Sequence, residues 1–340
     1  ADFQFELSPS TVVQIGYTGH QGRKLALSYG LNDNQLDPAL LKMGATLDQQ
    51  VANPFYGQIS AGVLAGTTVP RHRLLRDFPH YNSVSRNGQT PGGSSSYNAL
   101  VAQISKQFSG GLMMLVSYQR SKGIDNIRET EPSLGGADDG IRNNRDMSIE
   151  RSLSAHDIPH SFVASAVYEL PVGRGKRLGG SLPRVLDYPL GGWQLSSIVR
   201  LQSGLPSRMT APSTISVYGF GTQLPNVTSG PDVKLSARRP ERWFNTAAFS
   251  APAPFTIGSA PRRINELRAD FARHADLAIM KNFRWRERLR AQFRAEMFNL
   301  TNTPQFGWPD TGFGSTTFGV VSGTMNVSSR NVQFGLKLDF

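Results

Sequence analysis

Cysteine is absent from the 340 residues. Disulfide staples and Cys–His catalytic pairs are therefore excluded, and the absence fits a disulfide-free envelope protein as readily as a cytosolic one. No run approaches the roughly 18 consecutive apolar residues that cross a bilayer as a helix. Helical spans are thereby excluded, but barrels are not, because a closed sheet also satisfies its own backbone inside a membrane. Apolar residues make up 39%, below the usual globular share. The chain opens ADFQFEL, with no start Met and no signal peptide, already patterned as a strand. It is expected to be a mature or truncated part of a longer chain. Dense basic helices and nucleic-acid motifs are missing too, although the net charge is +11. The cations are scattered, among them Arg71, Arg73, Arg76, Arg174, Lys176, Arg177, Arg238, Arg239, Arg262, Arg263, Arg284, Arg286 and Arg288. They are expected in loops and turns near a charged surface, and no nucleic-acid partner is expected.

What is present is a dyad. Neighbouring side chains of a strand point to opposite faces. In RNVQFGLKLDF, Val332, Phe334, Leu336, Leu338 and Phe340 take one face and Asn331, Gln333, Gly335, Lys337 and Asp339 the other. The pattern recurs with Phe3, Phe5 and Leu7, with Val13, Ile15 and Tyr17, and with Leu100, Ala102, Ile104 and Phe108, where Lys106 intrudes. It continues at Leu112–Tyr118, Phe162–Leu170, Trp193–Leu201, more weakly at Leu277–Phe283, and clearly in LRAQFRAEMF, residues 289–298. That predicts nine strands, several of about ten residues, whereas globular strands usually run 5–6 and about 9–11 tilted residues cross a bilayer.

The predicted connections alternate in length. Residues 8–10, 109–111 and 284–288 are tight, 171–191 is intermediate, and 19–96, 122–158, 204–272 and 300–329 are long. Short links on one rim and long loops on the other are the asymmetry of outer-membrane barrels. A periplasmic C-terminus makes every long loop extracellular. On strand parity Arg200, Arg290, Gln292, Arg294 and Glu296 are candidates for a lumen, since a midplane Arg on the lipid side costs about 2–4 kcal/mol. Tyr97, Tyr118, Trp193, Phe283, Trp285 and Phe340 are candidates for interfacial aromatic girdles.

Rival chemistry is thin. His156 and His160 have the i, i+4 spacing of a helical metal pair, but Pro159 lies between them and a strand follows, so strand entry is the better reading. GADDGIRNNRD, residues 136–146, gathers oxygen ligands without a calcium-loop spacing and reads as a solvated loop. GRGKR, residues 173–177, lacks the frame of a phosphate loop and reads as a turn. DPALLKMGATLDQQ, residues 37–50, predicts a short helix with Pro38 near its start, packed on other loops. No Ser-His-Asp or paired-carboxylate arrangement is identifiable, so no enzyme, cofactor or metal is expected.

The ordered phrases NPFYGQI (53–59), RLLRDFP (73–79), SSYNALVAQISKQFSGGL (95–112), SAHDIPHSFVASAVYELPVGRGKR (154–177), GGWQLSSIVRLQSGLP (191–206), RWFNTAAF (242–249) and FRAEMFNLTNTPQFGWP (293–309) span essentially the whole chain. Together they resemble the C-terminal barrel of TonB-dependent receptors of the Oar-like kind, which carry a carboxypeptidase-regulatory-like N-terminal domain. The resemblance implies that residues 1–340 are part of a single all-β, transmembrane, antiparallel up-and-down barrel of about 22 strands, of which nine to ten are here. It implies that the plug and the regulatory-like domain lie outside the chain. It further implies an outer-membrane receptor and transporter energised by the TonB complex through that plug, with outer-membrane lipid and an unknown extracellular ligand as partners. A non-transporting adhesin or structural barrel, and a soluble all-β binding protein, are the alternatives.

Overall fold

A computed structural model describes every residue except 28–30, 87–89, 128–140, 216, 218–222, 287–288, 326–328 and 340. Nine long strands form one antiparallel sheet in strict sequence order. They are β1 (Asp2–Ser8), β2 (Thr11–Leu27), β3 (Thr90–Ser109), β4 (Leu112–Asp125), β5 (His160–Glu169), β6 (Trp193–Gln202), β7 (Ala272–Arg286), β8 (Leu289–Phe298) and β9 (Asn331–Asp339). A short strand, Ser152–Leu153, adds to the end of β4 and brings the sheet to ten. The sheet is open, with β1 and β9 at its edges.

All nine strands coincide with the predicted segments, but four extend beyond them. β2, β3, β4 and β7 run 17, 20, 14 and 15 residues. The extra length of β2 and β3 lies at the long-loop end, where Gly19, Gly22, Ser94, Ser95 and Ser96 pair without dyad hydropathy. Backbone pairing continues there without alternating hydropathy, because ladder hydrogen bonds join main-chain groups and do not depend on side-chain polarity.

The register keeps the faces separate across the sheet. Phe5 pairs with Val13, Val13 with Ile104, Ile104 with Val116, Val116 with Ala164 and Ala164 with Val199. At the other edge Leu277 pairs with Met297, which pairs with Val332. Directly paired residues share a face, so one side of the sheet is a continuous apolar band. It lies open: Phe334 is 72% exposed, Leu336 66% and Phe3 63%. The opposite side carries Gln14, Gln103, Ser117, Arg200, Asp276, Glu296 and Gln333.

The short connections share one rim. Residues 9–10 and Gly110–Gly111 make two-residue turns. Both glycines have positive φ, 60° and 85°, which suits a tight hairpin whose twist matches its strands. Of the tight link expected at 284–288, residues 287–288 lie outside the described residues. The opposite rim bears the long loops, and these hold the chain's hydrophobic cores. One gathers Met209, Leu224, Trp243, Phe244, Phe249, Ile264, Leu267 and Val321. Another joins Leu41 and Leu47 of a 3₁₀ helical segment, Pro38–Asp48, broken into two pieces by a kink at Gly44 (φ 56°), to Leu36, Ile215 and Val217. That helix is the one predicted at 37–50; Asp37 caps it by accepting from the Ala39 amide at 2.8 Å, and it packs on another loop as expected.

Candidate functional site

The loop-bearing rim folds inward over the polar face. Ser121, on the polar side of β4, donates through Oγ to the Ile158 carbonyl at 2.6 Å, and the Gly123 amide donates to Asp157 Oδ1 at 2.7 Å. Beneath this closure three arginines are buried. Arg262 Nη2 donates to Asp125 Oδ1 at 2.8 Å and its Nε to the Glu150 carbonyl at 2.7 Å. Arg142 Nε donates to Glu150 Oε1 at 3.1 Å, while its Nη1 reaches the Gly258 and Ala260 carbonyls. Arg268 Nη2 donates to Asp157 Oδ2 at 2.5 Å and its Nε to the Asn265 carbonyl. A guanidinium leaves water only when its rigid fork of donors is met, and each of these is met by a carboxylate plus loop carbonyls. The network ties residues 126–159 and 203–271 to the end of β4.

This corrects the reading of the basic residues as surface charge. Arg73, Arg76, Arg262 and Arg263 are buried inside the loop assembly. Arg73 donates to the Pro79 carbonyl and to Asn82 Oδ1, and Arg76 to the Val217 carbonyl. Burial holds the Arg73 guanidinium below its ordinary pKa, and burial with the nearby Arg73 charge does the same to Arg76. The cations at 174–177, by contrast, are exposed. Sequence reasoning gave no role to Arg142, Arg268, Asp125, Asp157 or Glu150: Arg142 and Glu150 are eight residues apart, but Asp125 and Asp157 find their arginines 137 and 111 residues along the chain.

The lumen candidates with described side chains share the polar face. Arg294 Nε donates to Gln292 Oε1 and Gln292 Nε2 to Asn282 Oδ1, at 2.5 and 2.8 Å. Gln333 Nε2 donates to Glu296 Oε2 at 2.5 Å, and Arg200 Nε to Gln202 Oε1 at 3.0 Å. The Arg290 side chain lies outside the described ones; its backbone pairs with Arg284 and Asp339. This face is not uniformly polar. Met113, Leu115, Val163 and Ile198 form an exposed apolar patch on it.

Among the aromatic candidates, Tyr118, Trp193 and Phe283 stand on the apolar face by register. The Tyr118 ring stacks on His160, with its hydroxyl 2.8 Å from Nδ1. Tyr97 stands on the other face, where its hydroxyl accepts from Gln119 Nε2 at 2.9 Å; a hydrogen-bonded partner in the polar row, not lipid, holds that ring. The Trp285 side chain and Phe340 lie outside the described residues.

His160 is engaged with Tyr118 while His156 is exposed, and among the described residues no cluster of metal-ligating side chains occurs. Of the stretch 136–146, residues 136–140 lie outside the described residues. GRGKR forms a turn on the short-link rim, closed by Lys176 N–H to the Gly173 carbonyl. No helix among the described residues is long and apolar enough to cross a membrane.

Residues 1–333 match the model of the outer membrane beta barrel domain. The chain belongs to that family. The band of apolar side chains therefore faces outer-membrane lipid, and the nine strands are a transmembrane part of the barrel. No curated protein matches the chain. Several solved structures are similar to this barrel chain. The outer membrane transporter YddB from Escherichia coli is 8% identical, with a TM-score of 0.43 over 100% of this chain and 32% of that one. The ferric-catecholate import receptor Fiu from E. coli K12 is 10% identical, with a TM-score of 0.36 over 99% and 34%. The pyoverdine outer membrane receptor FpvA from Pseudomonas aeruginosa PAO1, solved with pyoverdine, is 9% identical, with a TM-score of 0.34 over 99% and 35%. The chain thus spans about a third of the length of these structures.

Proposed function

We propose that the chain is the C-terminal portion of the barrel of a TonB-dependent receptor and transporter, of the Oar-like kind, whose extracellular loops capture a ligand and whose plugged lumen passes it inward. The observation that carries this reading is the polar face itself. It carries charges and amides that a lumen accepts, yet it exposes Met113, Leu115, Val163 and Ile198 in one patch. A water-filled pore leaves such a patch wet, whereas a protein plug covers it. The residues 19–96, 122–158 and 204–272 contain the ligand surface in this reading, and Arg200, Arg290, Gln292, Arg294 and Glu296 line the lumen or touch the plug. The orientation puts the long loops outside the cell and the tight turns in the periplasm.

The absence of native cysteine gives a clean test of orientation. Full-length protein carrying Ser213→Cys in a long loop or Ser181→Cys on the opposite rim is treated in intact cells with a membrane-impermeant maleimide. Labelling of position 213 alone is expected; labelling of 181 alone overturns the orientation. Transport is tested by binding of the full-length protein to the isolated periplasmic domain of TonB. Failure to bind, with intact barrel folding, favours a non-transporting adhesin or structural barrel.

A further inference from the structure

The apolar band ends sharply toward the long-loop rim. On the lipid side of β4 the register runs from Val116 and Tyr118 to Arg120 and Lys122, while on β3 Leu100 gives way to Asn98, Ser96 and Ser94. Arg120 pairs with Leu100 and with His160, so it stands on the lipid side and not over the lumen. Arg23 of β2 pairs with Ser94 on the same side. Arg151 joins them there, donating from Nη1 and Nη2 to Ser94 Oγ and Ser96 Oγ at 3.4 and 3.3 Å. Burial alternates to match: Ser121, Gly123 and Asp125 are buried, while Arg120 and Lys122 are exposed. Tyr17 also pairs with Leu100, and its hydroxyl donates to Asn98 Oδ1 at 2.6 Å. A tyrosine with an apolar body and a bonded polar tip marks the membrane boundary at the level of Arg120.

The charge of this outer face is not cancelled. The neighbouring acids Asp125 and Glu150 turn inward, where they hold Arg262 and Arg142. Among the described residues no carboxylate pairs with Arg23, Arg120, Lys122 or Arg151. The cations lie in two tiers. Arg120 and Lys122 sit at the margin of the apolar band. Arg151 precedes Ser152, which pairs with Asp125, and Arg23 lies across Ser94 from it. A strand tilted as in a barrel rises about 2.6 Å per residue along the membrane normal, which sets this second tier on the order of 10–16 Å further out. The headgroup layer of a phospholipid is only about 5–8 Å deep. A simple phospholipid therefore reaches the first tier alone.

We propose that this outer face binds a lipid whose headgroup is a phosphorylated oligosaccharide. Its acyl chains lie on the apolar band, one phosphate meets Arg120 and Lys122, and another meets Arg23 and Arg151. Unbroken register with the lipid-facing band chooses a lipid over a soluble anion. Clustered cations without carboxylates choose phosphate, which takes guanidinium groups in charge-assisted pairs. The height between the tiers chooses a tall headgroup. Placing that lipid in the leaflet outside the cell rests on the orientation proposed above.

The test uses the full-length protein purified in detergent. It is titrated with lipopolysaccharide carrying a short phosphorylated core, with diphosphoryl lipid A and with phosphatidylglycerol, and bound lipid is counted by native mass spectrometry. Lipopolysaccharide is expected to bind most tightly and phosphatidylglycerol least. Arg23→Gln with Arg151→Gln is expected to weaken lipopolysaccharide about fivefold, the worth of two exposed ion pairs, and to leave lipid A unchanged. Arg120→Gln with Lys122→Gln is expected to weaken both. Arg174→Gln with Arg177→Gln removes the same charge at the opposite rim and is expected to alter neither. Arg23→Lys with Arg151→Lys keeps the charge and is expected to bind as the native protein does, which separates lost charge from lost fold. Equal affinity for the three lipids, or equal losses from the two rims, overturns the proposal. Binding in detergent is independent of which rim faces outward, so the maleimide and TonB experiments can fail without this one failing.

Discussion

Arg262 and Asp125 form an ion pair at 2.8 Å although 137 residues separate them in the chain. The pair joins the loop before β7 to the last residue of β4. Both side chains are largely buried, and Glu150 lies 3.8 Å from Arg262 Nε on the other side. Removing the Asp125 carboxylate leaves Arg262 with the more distant Glu150 carboxylate and with loop carbonyls, so the loss is that of one buried hydrogen bond between charged groups, about 1.5–3 kcal/mol. Asp125→Ala is therefore expected to loosen the loop assembly while sparing the sheet. Limited proteolysis of the full-length protein in vesicles checks this: cleavage within 203–271 accelerates while the strands stay protected. Unchanged loop cleavage would falsify the role given to the pair.

Leu336 and Gln333 lie on opposite faces of β9, near the middle of the strand. Leu336→Arg puts a cation into lipid and is expected to cost about 2–4 kcal/mol. Gln333→Arg puts the same cation on the polar face opposite Glu296 and is expected to change stability far less. Denaturant unfolding in lipid vesicles compares the two. Equal destabilisation would mean that the faces are wrongly assigned.

His72 anchors the segment after Pro70 to the 3₁₀ helix, with Nδ1 3.2 Å from the Leu47 carbonyl and 3.7 Å from Asp48. Burial lowers its pKa; the Leu47 carbonyl and Asp48 oppose that shift, while Arg76 and Arg73 reinforce it. The folded state favours the neutral ring. Below the unfolded value of about 6.5 the unfolded chain takes up a proton that the folded one resists. Stability of this loop region is therefore expected to fall as pH drops below about 6.5, levelling off beneath the folded pKa. Hydrogen exchange at residues 38–48 between pH 7.5 and 5 reads the effect, and His72→Gln should flatten it.

Gly258 packs without room for a side chain: an added Cβ would lie 1.7 Å from the Leu224 carbonyl oxygen. Its amide donates to Gln223 Oε1 and its carbonyl accepts from Arg142. Gly258→Ala must move backbone beside the Trp243 core and is expected to cost about 1–3 kcal/mol or more. Gly323→Ala, with open space around it, serves as control. A red shift of tryptophan emission and earlier loss of loop structure on heating are the expected signs. Wild-type emission in Gly258→Ala would show that the loop backbone relaxes freely.

Residue order alone determined the strands, their faces and the tight turns. A dyad is a local property: Phe3, Phe5 and Leu7 reveal their common face without any partner, and lipid on one side with polar surroundings on the other preserves that signal. Local pattern also sufficed for the helix begun by Pro38. Tertiary structure alone decided the rest. Tyr97 looked like a girdle ring until Gln119 was seen beside it, and β2 and β3 outran their hydropathy because backbone pairing needs no lipid. The buried arginines were least legible of all. Arg262 and Arg268 find their carboxylates, and Arg142 its Gly258 and Ala260 carbonyls, only after long loops meet, and whether a guanidinium is solvated or enclosed depends on that meeting, which no stretch of neighbouring residues encodes.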